Sequence, residues 1–147
     1  MKKTLYLLFI LSSTSLFSQK LTCKDFKTGT FYIQKDSISP FDYKILRFKN
    51  HQIETVSNLH EIDPKLLEKF PELKGKFYEN ITWINDCSFK LKFDGSKMKL
   101  TDSMKEMNQN GGLLIEKIKI EGKCFYYKSS MTIKNEVQSV YGKICKE

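Results

Sequence analysis

The chain has 147 residues, 40% of them hydrophobic, 13% aromatic and 29% charged, with a formal net charge of +8; that is the size of one ordinary domain, and it argues against two cooperating domains and against global disorder. There is no alanine, against 13 isoleucines, 11 phenylalanines and 7 tyrosines, which favours sheet, because β-branched and aromatic side chains suit a half-buried strand and alanine is the best helix former.

The first segment reads as an address. Met1-Lys2-Lys3 is basic, Leu5 to Leu11 is uncharged and apolar, and Ser12 to Ser18 is mostly small and polar; that order is the pattern of a secretory signal peptide. The apolar run falls well short of the roughly 20 residues that span a bilayer. Cleavage is expected after Ser18, leaving residues 19–147 as one antiparallel β domain that is exported, periplasmic or secreted, with no transmembrane span. A lipoprotein reading through Cys23 is disfavoured, because Lys20 stands where such a signal wants an aliphatic residue. Loss of Lys2 and Lys3 lowers the charge from +8 to +6. Only Arg47 among the 25 basic residues is arginine, and the lysines are dispersed; nucleic-acid readout leans on arginine's bidentate fork, so dispersed lysine points to solubility instead.

Strands then follow in short units. Gly29 to Lys35 opens the first, with Phe31 and Ile33 on one face and Tyr32 on the other, and Tyr43 to Asn50 and His51 to Ser57 follow, meeting at Asn50-His51. Asp63 is an N-cap for a short helix that starts at Pro64 and runs through Phe70, where Pro71 stops it. Lys76 to Trp83 and Cys87 to Asp94 form the clearest hairpin, since Cys87, Phe89, Leu91 and Phe93 alternate with Ser88, Lys90 and Lys92. A three-residue loop at Ile84-Asn85-Asp86 sets Trp83 opposite Cys87, Ile81 opposite Phe89 and Phe77 opposite Phe93. Asp94 to Lys97 turns the chain into Met98 to Thr101, and the polar stretch from Asp102 to Gly111-Gly112 carries no clear signal. Leu113 to Ile120 leads through Glu121-Gly122 into Lys123 to Ile133 and Glu136 to Cys145. The fold class is therefore mainly β: an antiparallel up-and-down barrel, or a strongly curved sheet, of eight or nine strands with one short helical insert.

All four cysteines lie in the mature part, and an even count in an exported chain reads as disulfides. If Lys134-Asn135 is a two-residue turn, opposed residues of the last hairpin sum to 269, and so do 124 and 145. Cys124 would face Cys145 directly, and by exclusion Cys23 would pair with Cys87. Zinc is a poor alternative, since no two cysteines have the usual spacing and only His51 and His60 could assist; no metal and no cofactor is expected.

Cys23-Lys24-Asp25-Phe26-Lys27-Thr28-Gly29-Thr30-Phe31 and Trp83-Ile84-Asn85-Asp86-Cys87-Ser88-Phe89-Lys90-Leu91 resemble a family of small exported proteins of gram-negative bacteria, across nearly the whole mature chain. More loosely, Gly29-Thr30-Phe31 resembles the Gly-x-Trp opening of lipocalins and other calycin barrels, with phenylalanine for tryptophan. The lone Arg47 is not near the last strand, where lipocalins carry an arginine, and Thr101-Asp102-Ser103 only partly matches their Thr-Asp-Tyr element. The resemblance implies a barrel, and by analogy ligand binding.

Catalytic signatures are missing: there is no Gly-rich phosphate loop, no Gly-x-Ser-x-Gly and no His-Glu-x-x-His. His51 and His60 read as single surface residues, and Glu54, Glu79 and Glu116 as charges on the outer face of strands. Trp83 reads as a packing anchor beside Cys87, and Phe77, Tyr78, Tyr126, Tyr127 and Tyr141 as core or cross-strand pairs rather than a binding wall. The expected function is a non-enzymatic barrel whose inward residues, among them Phe31, Ile33, Phe89, Leu91 and Phe125, enclose a small apolar ligand. The alternative is a protein-interaction domain, or a structural domain beside another envelope protein, with a filled core; an enzyme ranks third.

Overall fold

A computed structural model describes residues 20–37, 39–133 and 136–147. The expected leader, its cleavage after Ser18, and the turn at Lys134-Asn135 lie outside the described residues. Eight antiparallel strands close into a barrel in chain order: β1 (Gly29–Ile33), β2 (Tyr43–Arg47), β3 (His51–Val56), β4 (Phe77–Trp83), β5 (Ser88–Phe93), β6 (Leu113–Glu121), β7 (Cys124–Ile133) and β8 (Glu136–Lys146). Closure on the eighth strand replaces the alternatives of a curved sheet or nine strands.

One end of the barrel carries tight turns. There, a turn of 3-10 helix over Cys23–Phe26 plugs the opening, with Cys23 and Phe26 buried. Phe26 stacks on Phe31 at 5.6 Å and meets Phe125 at 5.3 Å, which fills that end with aromatic rings. The opposite end carries the long connections: α1 (Pro64–Lys69) between β3 and β4, and α2 (Asp102–Gln109) between β5 and β6. Asp63 caps α1 by accepting from the Lys65 amide, with Pro64 at the first helical position, as its sequence requires.

Two apolar clusters result. The larger packs Cys23, Phe26, Phe31, Ile45, Ile81, Phe89, Leu91, Ile115, Phe125 and Ile144 in the barrel. The smaller joins Val56, Leu73 and Phe77 to Phe93, Met98 and Met104 under the helical connections.

Both disulfides form as expected, Cys124 with Cys145 and Cys23 with Cys87. The last hairpin has the anticipated register, with Cys124 opposite Cys145 and Ile133 opposite Glu136. Several local expectations are corrected. In the β4–β5 hairpin, Trp83 faces Phe89, Ile81 faces Leu91 and Glu79 faces Phe93, two residues away from the expected pairing. The cause is Asn85, whose side chain accepts from the Cys87 amide at 2.8 Å and draws Cys87 into the turn, where it can reach Cys23. A shift of two keeps the same residues inward, so the apolar face survives. The β2–β3 turn is at Lys49-Asn50, closed by the Phe48 amide on the His51 carbonyl at 2.8 Å, rather than at Asn50-His51. The β6–β7 turn uses Gly122-Lys123, with Gly122 at φ +55°, a left-handed conformation that glycine adopts without strain. Met98 to Thr101 is not a strand. Thr101 instead caps α2 by accepting from the Met104 amide at 3.3 Å, and the stretch without a clear sequence signal is that helix.

Candidate functional site

The interior is not wholly apolar. With Lys49-Asn50 as the turn, Arg47 pairs with Gln52 and Ile45 with Glu54, so Arg47, Gln52 and Glu54 point inward beside Ile45. Glu79 of β4 lies opposite Gln52 and joins them. Glu54 and Glu79 are therefore not outer-face charges, and only Glu116 of the three acids is exposed. Arg47, Gln52 and Glu79 are 4%, 1% and 7% exposed, which would be costly for isolated polar groups and is tolerable because they satisfy one another.

Their bonds form a chain. Arg47 Nε donates to Gln52 Oε1 at 2.8 Å, Gln52 Nε2 donates to Glu79 Oε2 at 2.6 Å, and Arg47 Nη1 donates to the Phe26 carbonyl at 3.0 Å. The guanidinium also lies over Phe31 at 5.2 Å and Phe89 at 4.7 Å. Arg47 thus holds the plug, the aromatic layer and the polar chain together.

Above this layer is a cavity of about 310 Å³ between the two apolar clusters, at the small end of the roughly 300–1,000 Å³ typical of ligand pockets. Its wall includes Ile33, Ile45, Phe93, Leu113, Ile115 and Met107 of α2, and its polar lining is Arg47, Gln52, Glu54, Glu79, Tyr127 and Ser129. Of the expected inward residues, Phe31 and Phe125 are packed in the closed end, whereas Ile33, Phe89 and Leu91 line the cavity. Tyr127 packs against the larger cluster and Phe125, as its core reading expects, and also lines the cavity.

Glu54 lines the cavity and is only partly buried, and its carboxyl accepts no hydrogen bond from any group among the described residues. The charged and titratable groups that act on it or are acted on by it are Glu79 on β4, Arg47 and Tyr43 on β2, and Tyr127 on β7. Burial, reinforced by Glu79 and opposed by Arg47, pushes its carboxyl up to about 8. Glu79 is also raised by burial, against the lowering effects of the Gln52 hydrogen bond and Arg47. Burial lowers Arg47 to about 10, which leaves it charged at neutral pH. Tyr127 is pushed up to about 12 by burial and then by Glu54, so its phenol is neutral.

The remaining singled-out residues lie elsewhere. His51 stacks on Phe48 at the β2–β3 turn, with ring centres 4.5 Å apart, and His60 is exposed beside Glu61. Trp83 packs on Phe89 at 4.7 Å and donates from Nε1 to the Lys49 carbonyl at 2.7 Å. Phe77 is in the smaller cluster, Tyr126 lies under Lys119, and Tyr141 is exposed. Among the described residues, no helix is long and apolar enough to cross a membrane.

No protein-family model matches the chain, and no curated protein or solved structure matches it.

Proposed function

We propose that this is an exported, non-enzymatic binding module that holds a small, mainly apolar molecule inside the barrel. The observation that carries the reading is the cavity of about 310 Å³ between the two apolar clusters, apolar over most of its wall with a few convergent polar groups. Export is supported by the order of basic, apolar and serine-rich residues at the start of the chain and by the pairing of all four cysteines. The likeness of the Cys23–Phe31 and Trp83–Leu91 segments to small exported gram-negative proteins agrees with it.

A second reading, a protein-interaction domain, is favoured by one specific feature. Val137, Val140 and Tyr141 on β8 are 72%, 47% and 60% exposed, a concentration of apolar surface on one strand.

Native mass spectrometry of protein purified from the exporting cell separates the two. A co-purified small molecule that is lost on Leu113→Trp, which fills the cavity, supports ligand binding. A bare chain that binds no apolar probe sinks it. Retention of a protein partner that Val137→Lys and Tyr141→Lys release would favour the second reading.

A further inference from the structure

The lone buried arginine invites the idea of an anionic ligand, but the geometry points the other way. Two of the three guanidinium nitrogens of Arg47 are already committed, to Gln52 and to the Phe26 carbonyl, and its faces lie against Phe31 and Phe89. An anion in the cavity would meet two carboxyls, Glu54 and Glu79, for that one engaged cation.

Beside the uncommitted Arg47 Nη2, the free hydrogen-bonding capacity of the two carboxyls is accepting. Glu79, more than nine-tenths buried, spends one oxygen on Gln52, and no donor among the described residues reaches the other. Glu54 has neither oxygen engaged by a protein donor among the described residues. One guanidinium against two carboxyls means that only one of them can ionise without a further cation, and the cavity is where such a cation could enter. A buried charge is stable only when paired, so a cation that enters with an apolar body satisfies both parts of the wall.

We propose that the cavity recognises a small amphiphilic amine, its ammonium group donating to Glu54 and the free oxygen of Glu79, and its hydrocarbon part lying against Ile33, Ile45, Leu113 and Ile115. This rests on the reading of the cavity as a ligand site. Tyr127 stands at the same wall as a neutral phenol whose oxygen can accept a further N–H hydrogen bond. Burial holds Glu54 largely protonated at neutral pH, so docking of an ammonium ionises it and releases a proton.

Calorimetric titration of the purified protein with n-octylamine, n-octanol and n-octanoate at neutral pH tests this. The amine is expected to bind about tenfold or more tightly than the carboxylate, the margin that a charge-assisted hydrogen bond supplies. Its binding heat should vary with buffer ionisation enthalpy in the sense of proton release. Glu54→Gln should bring the amine down to the level of the alcohol and abolish the proton release. The buffer dependence is read on the unaltered protein, so it stands even where the variant folds poorly. If the alcohol binds but the carboxylate matches or exceeds the amine, or if the amine releases no proton, the amine proposal is overturned and the apolar site stands. If none of the three binds, both fall.

Discussion

Gln52 donates to Glu79 at 2.6 Å while accepting from Arg47 at 2.8 Å, so the buried cation and the buried carboxyl are joined only through a neutral amide. Removing one member strands the others. Arg47→Leu leaves the Phe26 carbonyl and Gln52 Oε1 without their donor and Glu79 without its cation, at a cost of about 3–5 kcal/mol. Replacing Arg47, Gln52 and Glu79 together by Leu should recover most of that loss, because the one buried ionisable group left, Glu54, has a raised pKa and can stay protonated. Urea denaturation of the single and triple variants measures both; a triple variant as unstable as the single one would refute the pairing argument.

The raised carboxyl of Glu54 makes stability depend on pH in a defined direction. Its folded-state value, about 8, lies above the ordinary 4.5. Between those values the folded state binds more protons than the unfolded chain, so stability falls as pH rises through the interval. Below it this contribution is fully present, and above it the loss levels off. Denaturation midpoints measured across this range should decline for the unaltered protein and flatten for Glu54→Gln, with the residual slope belonging to Glu79, which is raised in the same sense.

The two disulfides should differ in worth. Cys23 and Cys87 are separated by 64 residues and Cys124 and Cys145 by 21. The larger loop restrains more of the unfolded chain, about 4 kcal/mol against about 3 kcal/mol on the chain-entropy argument. Cys23→Ser/Cys87→Ser should therefore lower the denaturation midpoint more than Cys124→Ser/Cys145→Ser. It also unties the plug that Arg47 grips through Phe26, so Trp83, which lies under Lys27 at 5.0 Å, should show the change in its fluorescence.

Gly142 serves the cavity without lining it. It lies opposite Tyr127 in the β7–β8 pair, and a Cβ placed on it would come within 2.7 Å of the Tyr127 hydroxyl. The ring occupies the space that glycine leaves. Gly142→Val should displace Tyr127 from the cavity wall at a cost of about 1–3 kcal/mol, and weaken binding of any occupant. Thermal unfolding and probe titration read the two effects separately.

Legibility in the sequence followed range. The Cys124–Cys145 pairing was readable because one turn and two strands fix it. The β4–β5 register was misplaced by two residues because a single side-chain hydrogen bond from the Cys87 amide to Asn85 decides where that turn begins. Helix α2 was missed because its apolar residues, Met104 and Met107, are few, and Thr101 serves equally as a strand end or a cap. The polar cluster was hidden for a different reason. Side-chain alternation puts Gln52 and Glu54 on the face of Val56, but charged residues are expected outside, and what makes their burial tolerable comes from neighbouring strands. Arg47 and Glu79 are distant enough in sequence from one another that no local pattern announces the partnership.

The barrel is fastened unequally around its circumference. Strand β1 meets β8 only at Phe31 with Lys146 and Tyr32 with Cys145, with the Glu147 amide adding a bond to the Thr30 carbonyl at 3.3 Å. Beyond that seam, the part of β8 from Glu136 to Lys143 has no paired strand on its β1 side among the described residues. A cleft opens there, lined by Ile33, Tyr127, Val140 and Gly142, and two of these, Ile33 and Tyr127, also line the central cavity. The Cys124–Cys145 bridge braces the fastened end of the same hairpin, so the wall between flank cleft and central cavity is carried in part by two side chains, Ile33 and Tyr127, rather than by strand pairing.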